Sequence, residues 1–209
     1  VYEHRLGSAT QARHRSTHPH RHEHVEVVGI AHGAQAALLE PFSHFHDHLI
    51  AVYGEHPDTS TEYIAETIQT VYATQTKSRT GATLGIRRVN VNAAPLPVED
   101  LRVLKSVGIG TFQVFQETYH RETYQRLHPA GTVKGHYDWR TTCMHRSLEA
   151  GADDVGLGVL FGLYDWRFEV LAVLAHSRDL EAQFGIGPHT ISFPRMEPAS
   201  GTDVPTSSP

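Results

Sequence analysis

Apolar residues follow different patterns before and after about position 49. Ahead of it, apolar periodicity is poor until about Val25, and ten of the 17 histidines fall in the first 50 residues. After it, short apolar runs alternate with longer stretches in which apolar residues recur every three to four positions. Short runs predict buried strands, and the longer period predicts amphipathic helices. The sequence from Leu49 onward therefore predicts alternating strands and helices.

Five strands are predicted from the short apolar runs, at Leu49–Tyr53, Ile86–Asn92, Ile109–Phe115, Val155–Leu160 and His189–Phe193. Helices are predicted between them, beginning at a capping box at 59–62, at Pro97, at His120, at Asp138 and at Trp166. The helix from Asp138 is predicted to run unbroken to Ala150, and Ser78–Gly85 is predicted to be a polar loop. Strands separated by helices imply parallel crossovers. The predicted fold class is α/β, as an open sheet or a partial (β/α) TIM-type barrel of about five parallel strands with flanking helices.

The two ends of the chain are predicted to lie outside this barrel. Alternating imidazoles in residues 1–48 can chelate transition metals, which makes a metal-binding tract one interpretation. The favoured interpretation is a disordered segment or a stretch from a non-native reading frame, because no cysteine or paired carboxylate completes a defined site there. Residues 49–198 form the predicted barrel portion. Residues 199–209 are rich in Ser, Thr and Pro and are predicted to be a mobile tail.

Composition narrows the class of protein. The formal charge is −5 and the pI is near 6.4, so the chain has no excess of positive charge. This argues against nucleic acid as the main partner. No run of 18 apolar residues is present, so no membrane span is expected. The single cysteine, Cys143, excludes a disulfide framework and makes a reducing, cytoplasmic setting the expectation. Its position on a helix face predicts a small core residue.

Polar residues collect at the predicted carboxyl ends of the strands, where parallel barrels hold their working groups. They are Gly54 to His56, Asn90 and Asn92, Gln116 to His120, Gly162 to Asp165, and Ser192 with Arg195. Carboxylates, amides, a hydroxyl and a guanidinium in this arrangement favour a ligand pocket. No Gly-x-Gly-x-x-Gly or Walker loop follows a strand, so those types of nucleotide site are not expected. Gly156 and Gly158 inside a strand predict close approach of a ligand to the backbone.

These strand ends, taken in order, resemble the radical S-adenosylmethionine superfamily. The resemblance is carried by 52–57 (VYGEHP), 88–92 (RVNVN), 115–124 (FQETYHRETY), 153–158 (DDVGLG), 161–167 (FGLYDWR) and 187–195 (GPHTISFPR). Within the superfamily the sequence is most similar to the tyrosine lyases that mature FeFe-hydrogenase, and next to the 2-iminoacetate synthases of thiamine synthesis. The similarity covers about Leu49–Pro198.

The resemblance implies roles for nine residues. Gly54 and Glu55 match the element that holds the amino group of S-adenosylmethionine, and a carboxylate suits that cationic amine. Gln116 and Glu117 are expected to contact the same cofactor. The fifth-strand glycine motif, which lies against the adenosyl part, matches Gly156, Gly158 and Gly162. Ser192 and Arg195 match groups that hold the substrate carboxylate, a task suited to a guanidinium. No catalytic residue and no metal ligand is assigned.

The family's reaction begins at a 4Fe–4S cluster, which reduces S-adenosylmethionine to give a 5′-deoxyadenosyl radical. That radical abstracts hydrogen from tyrosine, and the Cα–Cβ bond breaks to give p-cresol and dehydroglycine. The cluster needs three cysteines in a C-x3-C-x2-C loop. This chain has only Cys143, and it opens with Val1. It is therefore expected to be a fragment that is inactive alone.

Two explanations of the missing cysteine loop remain open. The favoured one is that the sequence is a partial or frame-damaged copy of the gene product. The other is that the chain is a pseudo-enzyme whose histidines bind a different metal. Three functional interpretations also remain. The first is a lyase for hydrogenase maturation, for which other hydrogenase maturases are possible partners. The second is a 2-iminoacetate synthase. The third is a non-catalytic, His-rich metal-binding protein.

Overall fold

The computed structural model describes residues 26–30 and 48–197. Within these residues the chain forms eight strands: β1 (Glu26–Ile30), β2 (His48–Tyr53), β3 (Gln75–Lys77), β4 (Thr83–Gly85), β5 (Arg88–Asn92), β6 (Thr111–Gln113), β7 (Asp154–Gly158) and β8 (Thr190–Ser192). The same residues form six α-helices: α1 (Thr61–Ala73), α2 (Val98–Ser106), α3 (Arg121–Leu127), α4 (Tyr137–Thr141), α5 (Cys143–Glu149) and α6 (Trp166–Phe184). A 3₁₀ turn at Val133–Gly135 precedes α4.

Six of the strands form one sheet in the order β1-β2-β5-β6-β7-β8, and each neighbouring pair is parallel. Strand order follows chain order without a reversal, as in the wall of a (β/α) barrel and unlike a doubly wound sheet, whose order reverses at a switch point. The predicted fold class is confirmed. The five predicted strands correspond to β2, β5, β6, β7 and β8.

The two faces of this sheet differ in polarity. Alternate residues of β2 and β5 are buried in the core with the apolar faces of α1 and α2, among them Ala51, Val91, Ile64 and Leu104. The intervening residues form a row across the other face through paired positions: Val52, Asn92, Gln113, Gly156 and Thr190. Strand period two thus places an apolar set against the helices and a mixed set, which includes Asn92, Gln113 and Thr190, on the opposite side.

Strand β1 was not among the predicted elements. It lies within the 1–48 segment and pairs in parallel with β2, with Val28 opposite Ala51. Its sequence is a short apolar run of the kind that predicts a strand, and the surrounding histidines concealed it. The remainder of residues 1–47, with its His-rich tract, and the tail from 198 onward lie outside the described residues.

Two other local predictions were wrong. The predicted loop Ser78–Gly85 contains β4, which pairs antiparallel with β3 across a turn in which Gly81 has φ 85°. The predicted helix Asp138–Ala150 is interrupted at Thr142, between α4 and α5. The hydroxyls of Thr141 and Thr142 donate to backbone carbonyls four residues earlier, at 3.0 and 2.7 Å. Consecutive bonds of this type bend helices.

No helix among residues 26–30 and 48–197 has both the length and the hydropathy needed to cross a bilayer.

Candidate functional site

The parallel strands bring several of the predicted site residues to one edge of the sheet. Glu55 follows β2, and Gln116 and Glu117 follow β6. Glu117 forms an isolated parallel bridge with Val159, just beyond β7. The carboxyl ends of neighbouring parallel strands lie side by side, so the two carboxylates, Glu55 and Glu117, face a common region.

A buried arginine stands between these two carboxylates. The Arg140 side chain is only 9% exposed; its Nη2 lies 3.3 Å from Glu117 Oε1, and its Nη1 lies 3.9 Å from Glu55 Oε2. Its Nε donates to the Phe115 carbonyl at 2.7 Å, which fixes the plane of the guanidinium. Lys134 adds a second cation, 3.3 Å from the same Glu117 oxygen. The site therefore pairs two carboxylates with two cations.

The backbone turns sharply at Glu117. The Thr118 amide donates to the Gln116 carbonyl at 2.9 Å, which closes a three-residue γ-turn around Glu117. Glu117 has φ 69° and is the one non-glycine residue with positive φ in the described part of the chain. A γ-turn of this hand is strained for an L-residue, and such strain concentrates at functional sites. The turn sets the direction in which the Glu117 carboxylate leaves the sheet.

Gln116 carries an unsatisfied polar atom. Its side chain is 3% exposed, and no group in the described residues donates to Oε1. Buried polar atoms usually have partners, so an unpaired acceptor in the residue next to Glu117 is suited to a ligand that carries a donor. Gly54, on β2's side of the cluster, has open space over its backbone, because an added Cβ would meet nothing within 4 Å. The assignment of Gln116 and Gly54 as cofactor contacts stays a prediction.

Neutral aromatic groups line the neighbouring wall. Burial raises the pKa of Tyr124 to about 12, with Arg140 opposing the rise and Glu117 adding to it. Burial also lowers the pKa of His128, whose ring stacks on Tyr124 at 4.0 Å between centroids. The tyrosine is therefore a neutral hydroxyl at ordinary pH, and its proton is donated to the Lys134 carbonyl. These groups shape the site without adding net charge.

The β7 glycines accommodate side chains of the protein itself. A Cβ at Gly158 would lie 2.5 Å from the Phe115 ring, and one at Gly156 would lie 2.8 Å from Gln113 Cβ and 2.9 Å from Thr190 Oγ1. The close approach predicted for a ligand is thus already made by neighbouring strands. Phe115 and Gln113 are the groups that a ligand over β7 would meet.

The remaining predicted residues lie further along the sheet. Gly162 has φ 109°, and a Cβ there would lie 3.1 Å from Met196 Cβ. Ser192 ends β8, and Arg195 is exposed and bridges Phe161 through its backbone. Neither Ser192 nor Arg195 has a contact with the cluster around Arg140 among those that the structure resolves in 48–197. Their assignment to a substrate carboxylate stays a prediction.

Asn90 belongs to a different network. Its Oδ1 accepts from the Thr111 amide at 2.9 Å and from Arg88 Nε at 3.1 Å. Arg88 in turn pairs with Asp154 at the amino end of β7. Charged and polar groups at that end of the strands serve the structure of the sheet, so Asn90 is not part of the candidate site.

Sequence reasoning missed Arg140 and Lys134. Arg140 lies in the predicted helix from Asp138, where the apolar pattern drew attention to its neighbours. The available signal was electrostatic: Glu55 and Glu117 gathered at one barrel end require cations nearby, because uncompensated like charges repel. That argument predicts a cation but not which one.

The described residues suit the amino-acid end of S-adenosylmethionine and do not suit an iron–sulfur cluster. Carboxylates can hold its ammonium group, and a guanidinium can hold its carboxylate. A cluster needs thiolates, and the only cysteine of the chain, Cys143, is fully buried in the core with a pKa that burial raises. Residues 26–30 and 48–197 contain no group of three or more metal-binding side chains.

Comparisons with known proteins find relatives that match most of this chain. A crystal structure of HydG, a maturase of the FeFe-hydrogenase, matches with a TM-score of 0.69 and 51% identity, over 76% of this chain and 34% of that one. HydG from Carboxydothermus hydrogenoformans matches with a TM-score of 0.65 and 44% identity, over 74% and 34%. The 2-iminoacetate synthase of Salmonella typhimurium (strain LT2) is 32% identical over 163 residues, which is 77% of this chain and 40% of the relative.

The chain spans well under half the length of each of these relatives. A scan against models of known protein families finds none that matches. The matched portion nevertheless includes most of the chain, at identities far above those that indicate a shared fold alone. Over that portion, the chain belongs to the radical S-adenosylmethionine family that includes HydG and 2-iminoacetate synthase.

Proposed function

We propose that this chain binds the amino-acid end of S-adenosylmethionine at the carboxyl ends of β2 and β6. The supporting observation is the position of Arg140 between Glu55 and Glu117. Glu55, with the open backbone at Gly54, holds the ammonium group, while Arg140 and Lys134 hold the carboxylate. Gln116 Oε1 accepts a donor from the same ligand. Gly156, Gly158 and Gly162 lie on the side of its adenosyl part, which meets Gln113 and Phe115 over the first two glycines.

We extend the proposal to a lyase reaction on tyrosine, carried out by a longer polypeptide that contains this site. Bound S-adenosylmethionine would supply radical chemistry there only in a polypeptide that also holds a reducing iron–sulfur cluster, for which this chain lacks the three thiolates. Ser192 and Arg195 orient tyrosine through its carboxylate, so that the Cα–Cβ bond is cleaved to p-cresol and dehydroglycine. The chain alone is inactive, because it cannot hold the cluster.

Hydrogenase maturation is the favoured setting, since the two HydG structures are 51% and 44% identical to the chain. The second candidate is 2-iminoacetate synthase, supported by the relative at 32% identity. The resemblance implies that the two differ in the fate of dehydroglycine, which the maturase family is expected to convert to CO and cyanide. A metal-binding role for the histidines of residues 1–48 lies outside the described residues and has no support from the barrel.

Equilibrium dialysis of the 209-residue chain against labelled S-adenosylmethionine tests the binding step. We expect saturable binding that S-adenosylhomocysteine competes for, and a loss of about tenfold in affinity in Glu55→Gln. Asp153→Asn is the matched control, because it neutralises an exposed carboxylate that pairs with Lys105 instead. Absence of saturable binding, or an equal loss in both variants, would contradict the proposal.

The reaction is tested on the longest polypeptide that the gene encodes, reconstituted with iron, sulfide and reductant. We expect tyrosine-dependent p-cresol from any product that carries the three thiolates, and none from the 209-residue chain. Formation of cyanide would assign the maturase, and its absence beside p-cresol would assign the synthase. A reconstituted product that consumes S-adenosylmethionine without releasing p-cresol would rule out tyrosine cleavage.

A further inference from the structure

A buried carboxylate on α6 contacts the segment directly after Glu117. Glu169 lies in the first turn of α6 and is 1% exposed. One of its oxygens accepts from the Thr118 hydroxyl, and the other accepts from the Tyr119 amide at 2.8 Å. Burial raises the pKa of Glu169, and these two hydrogen bonds oppose the rise. Neither of these two bonds involves Glu55, Arg140 or Lys134.

The strained turn at Glu117 needs contacts on both sides to persist. On one side, the Leu160 amide donates to the Glu117 carbonyl at 2.8 Å, and the Gln116 amide donates to the Gly158 carbonyl at 2.9 Å. These bonds tie the turn to β7. On the other side, Glu169 is the charged group that fixes the chain immediately after the turn. A helix anchor and a sheet anchor therefore flank Glu117.

We propose that Glu169 is a positioning residue that holds the γ-turn and so aims the Glu117 carboxylate at Arg140 and Lys134. The consequence for S-adenosylmethionine rests on the function proposed above, whereas the consequence for the turn does not. The carboxylate acts through Thr118 and Tyr119, because it accepts from both at once. Neutral glutamine has a single acceptor oxygen and cannot repeat this pattern.

Amide hydrogen exchange without ligand tests the effect on the turn. The informative amides are those of Thr118 and Leu160, because both bond across the turn and neither contacts Glu169 through its amide. We expect Glu169→Ala to speed their exchange by about tenfold and Glu169→Gln by less, with the β5 amides unchanged. Glu181→Gln, on the exposed side of the same helix, is the control. Faster exchange at Tyr119 alone would overturn the proposal, since Glu169 would then be only a local acceptor.

A double-mutant cycle tests the effect on binding. Glu169→Gln is expected to weaken S-adenosylmethionine binding by about tenfold in the unsubstituted chain and to change it little in a Glu117→Gln background, because its action passes through Glu117. Additive losses would show that Glu169 does not act through Glu117 and would refute this part. If the unsubstituted chain fails to bind S-adenosylmethionine, the proposed function fails, and the exchange experiment still decides the positioning role.

Discussion

At the scale of single residues, Arg140 contacts a backbone carbonyl and two carboxylates at once, which a lysine cannot do. Its Nε bonds to the Phe115 carbonyl, and its terminal nitrogens face Glu117 and Glu55. We expect Arg140→Lys to weaken S-adenosylmethionine binding about tenfold and to lower the free energy of unfolding by about 1–3 kcal/mol, because an ammonium group is a point charge without the planar fork. Dialysis and urea denaturation measure the two effects.

Arg121→Lys provides the matched control for Arg140. Arg121 also pairs with a carboxylate, that of Asp138, but both side chains are largely exposed. Exposed ion pairs contribute little to stability, so this variant should bind and unfold like the parent. Equal effects in the two variants would show that Arg140 has no special place in the site.

His176 is a partly buried histidine that should make the stability of the protein depend on pH. Its Nδ1 bonds to the Tyr119 hydroxyl at 2.7 Å, its ring stacks on His145, and His145 pairs with Asp179. Burial, and then repulsion from His145, lower the pKa of His176 from 6.5 to about 4, while Asp179 opposes the shift. Between these two pH values, His176 binds a proton in the unfolded chain but not in the folded chain.

Stability should therefore fall as the pH drops from 6.5 towards 4, by roughly 2–3 kcal/mol from this group alone. His176→Gln should flatten that part of the unfolding free energy against pH, measured by denaturation at fixed ionic strength. His136→Gln, an exposed histidine, is the control. The assignment is wrong if the two variants keep the same pH dependence.

At the residue scale, the sequence predicts the positions of Glu55 and Glu117 after their strands, while their roles stay a prediction. Glu55 and Glu117 each lie just beyond a strand, so strand period and parallel topology bring them together. Arg140 reaches the same place from α4, and the bend at Thr142 sets where α4 ends. Apolar periodicity carries no information on such a bend, and none on the Glu169 contact, which joins residues about fifty positions apart.

At the scale of elements, β7 depends on residues without side chains. The Phe115 ring occupies the space over Gly158. We expect Gly158→Ala to lower the free energy of unfolding by about 1–3 kcal/mol, because the new methyl group and the ring cannot both stay in place. The measurement is urea denaturation, with Gly85→Ala as control, since a Cβ there makes only ordinary contacts, at 3.5 Å or more.

A second substitution separates overpacking from a general weakness of β7. Adding Phe115→Ala to Gly158→Ala should cost less than the sum of the two single changes, because removing the ring creates the room that the methyl group needs. Additive costs would mean that the clash does not cause the loss.

Elements were predicted well where their pattern was long or repeated. The run at 49–53 and the amphipathic spacing of α1 each match one period clearly. The bounds of α6 agree with the prediction, but Phe168, Leu171 and Leu174, which its spacing predicts to lie inside, are exposed. The three-residue strands β3 and β4 are too short to show a period, and they pair through a turn of Ser, Thr and Gly that resembles a loop. Strand β1 has only five residues, of which Val27, Val28 and Ile30 are apolar, and histidines flank it in the sequence. Its pairing with β2 is a contact between residues far apart in the sequence, which the apolar residues of β1 alone do not predict.

At the scale of the whole molecule, α6 exposes an apolar face. Leu171 is 68% exposed and Leu174 48%, and Trp166 and Phe168 are also exposed on this helix. Apolar patches of this kind favour association in water. Strand β8 is last in the sheet order, and an edge strand can pair with another chain through its backbone. Because β8 has only three residues, we expect this edge to contribute little to association.

We expect the 209-residue chain to self-associate through this face, with a weight-average mass that rises with concentration. The double variant Leu171→Glu and Leu174→Lys should reduce that rise at unchanged thermal stability, because both side chains are already exposed and the added charges oppose apolar contact. Sedimentation velocity over a concentration series measures it. Val133→Glu is the control: Val133 is 52% exposed but lies in the 3₁₀ turn before α4, away from α6. If the control suppresses association as strongly as the double variant, general charge rather than this face governs the solution behaviour.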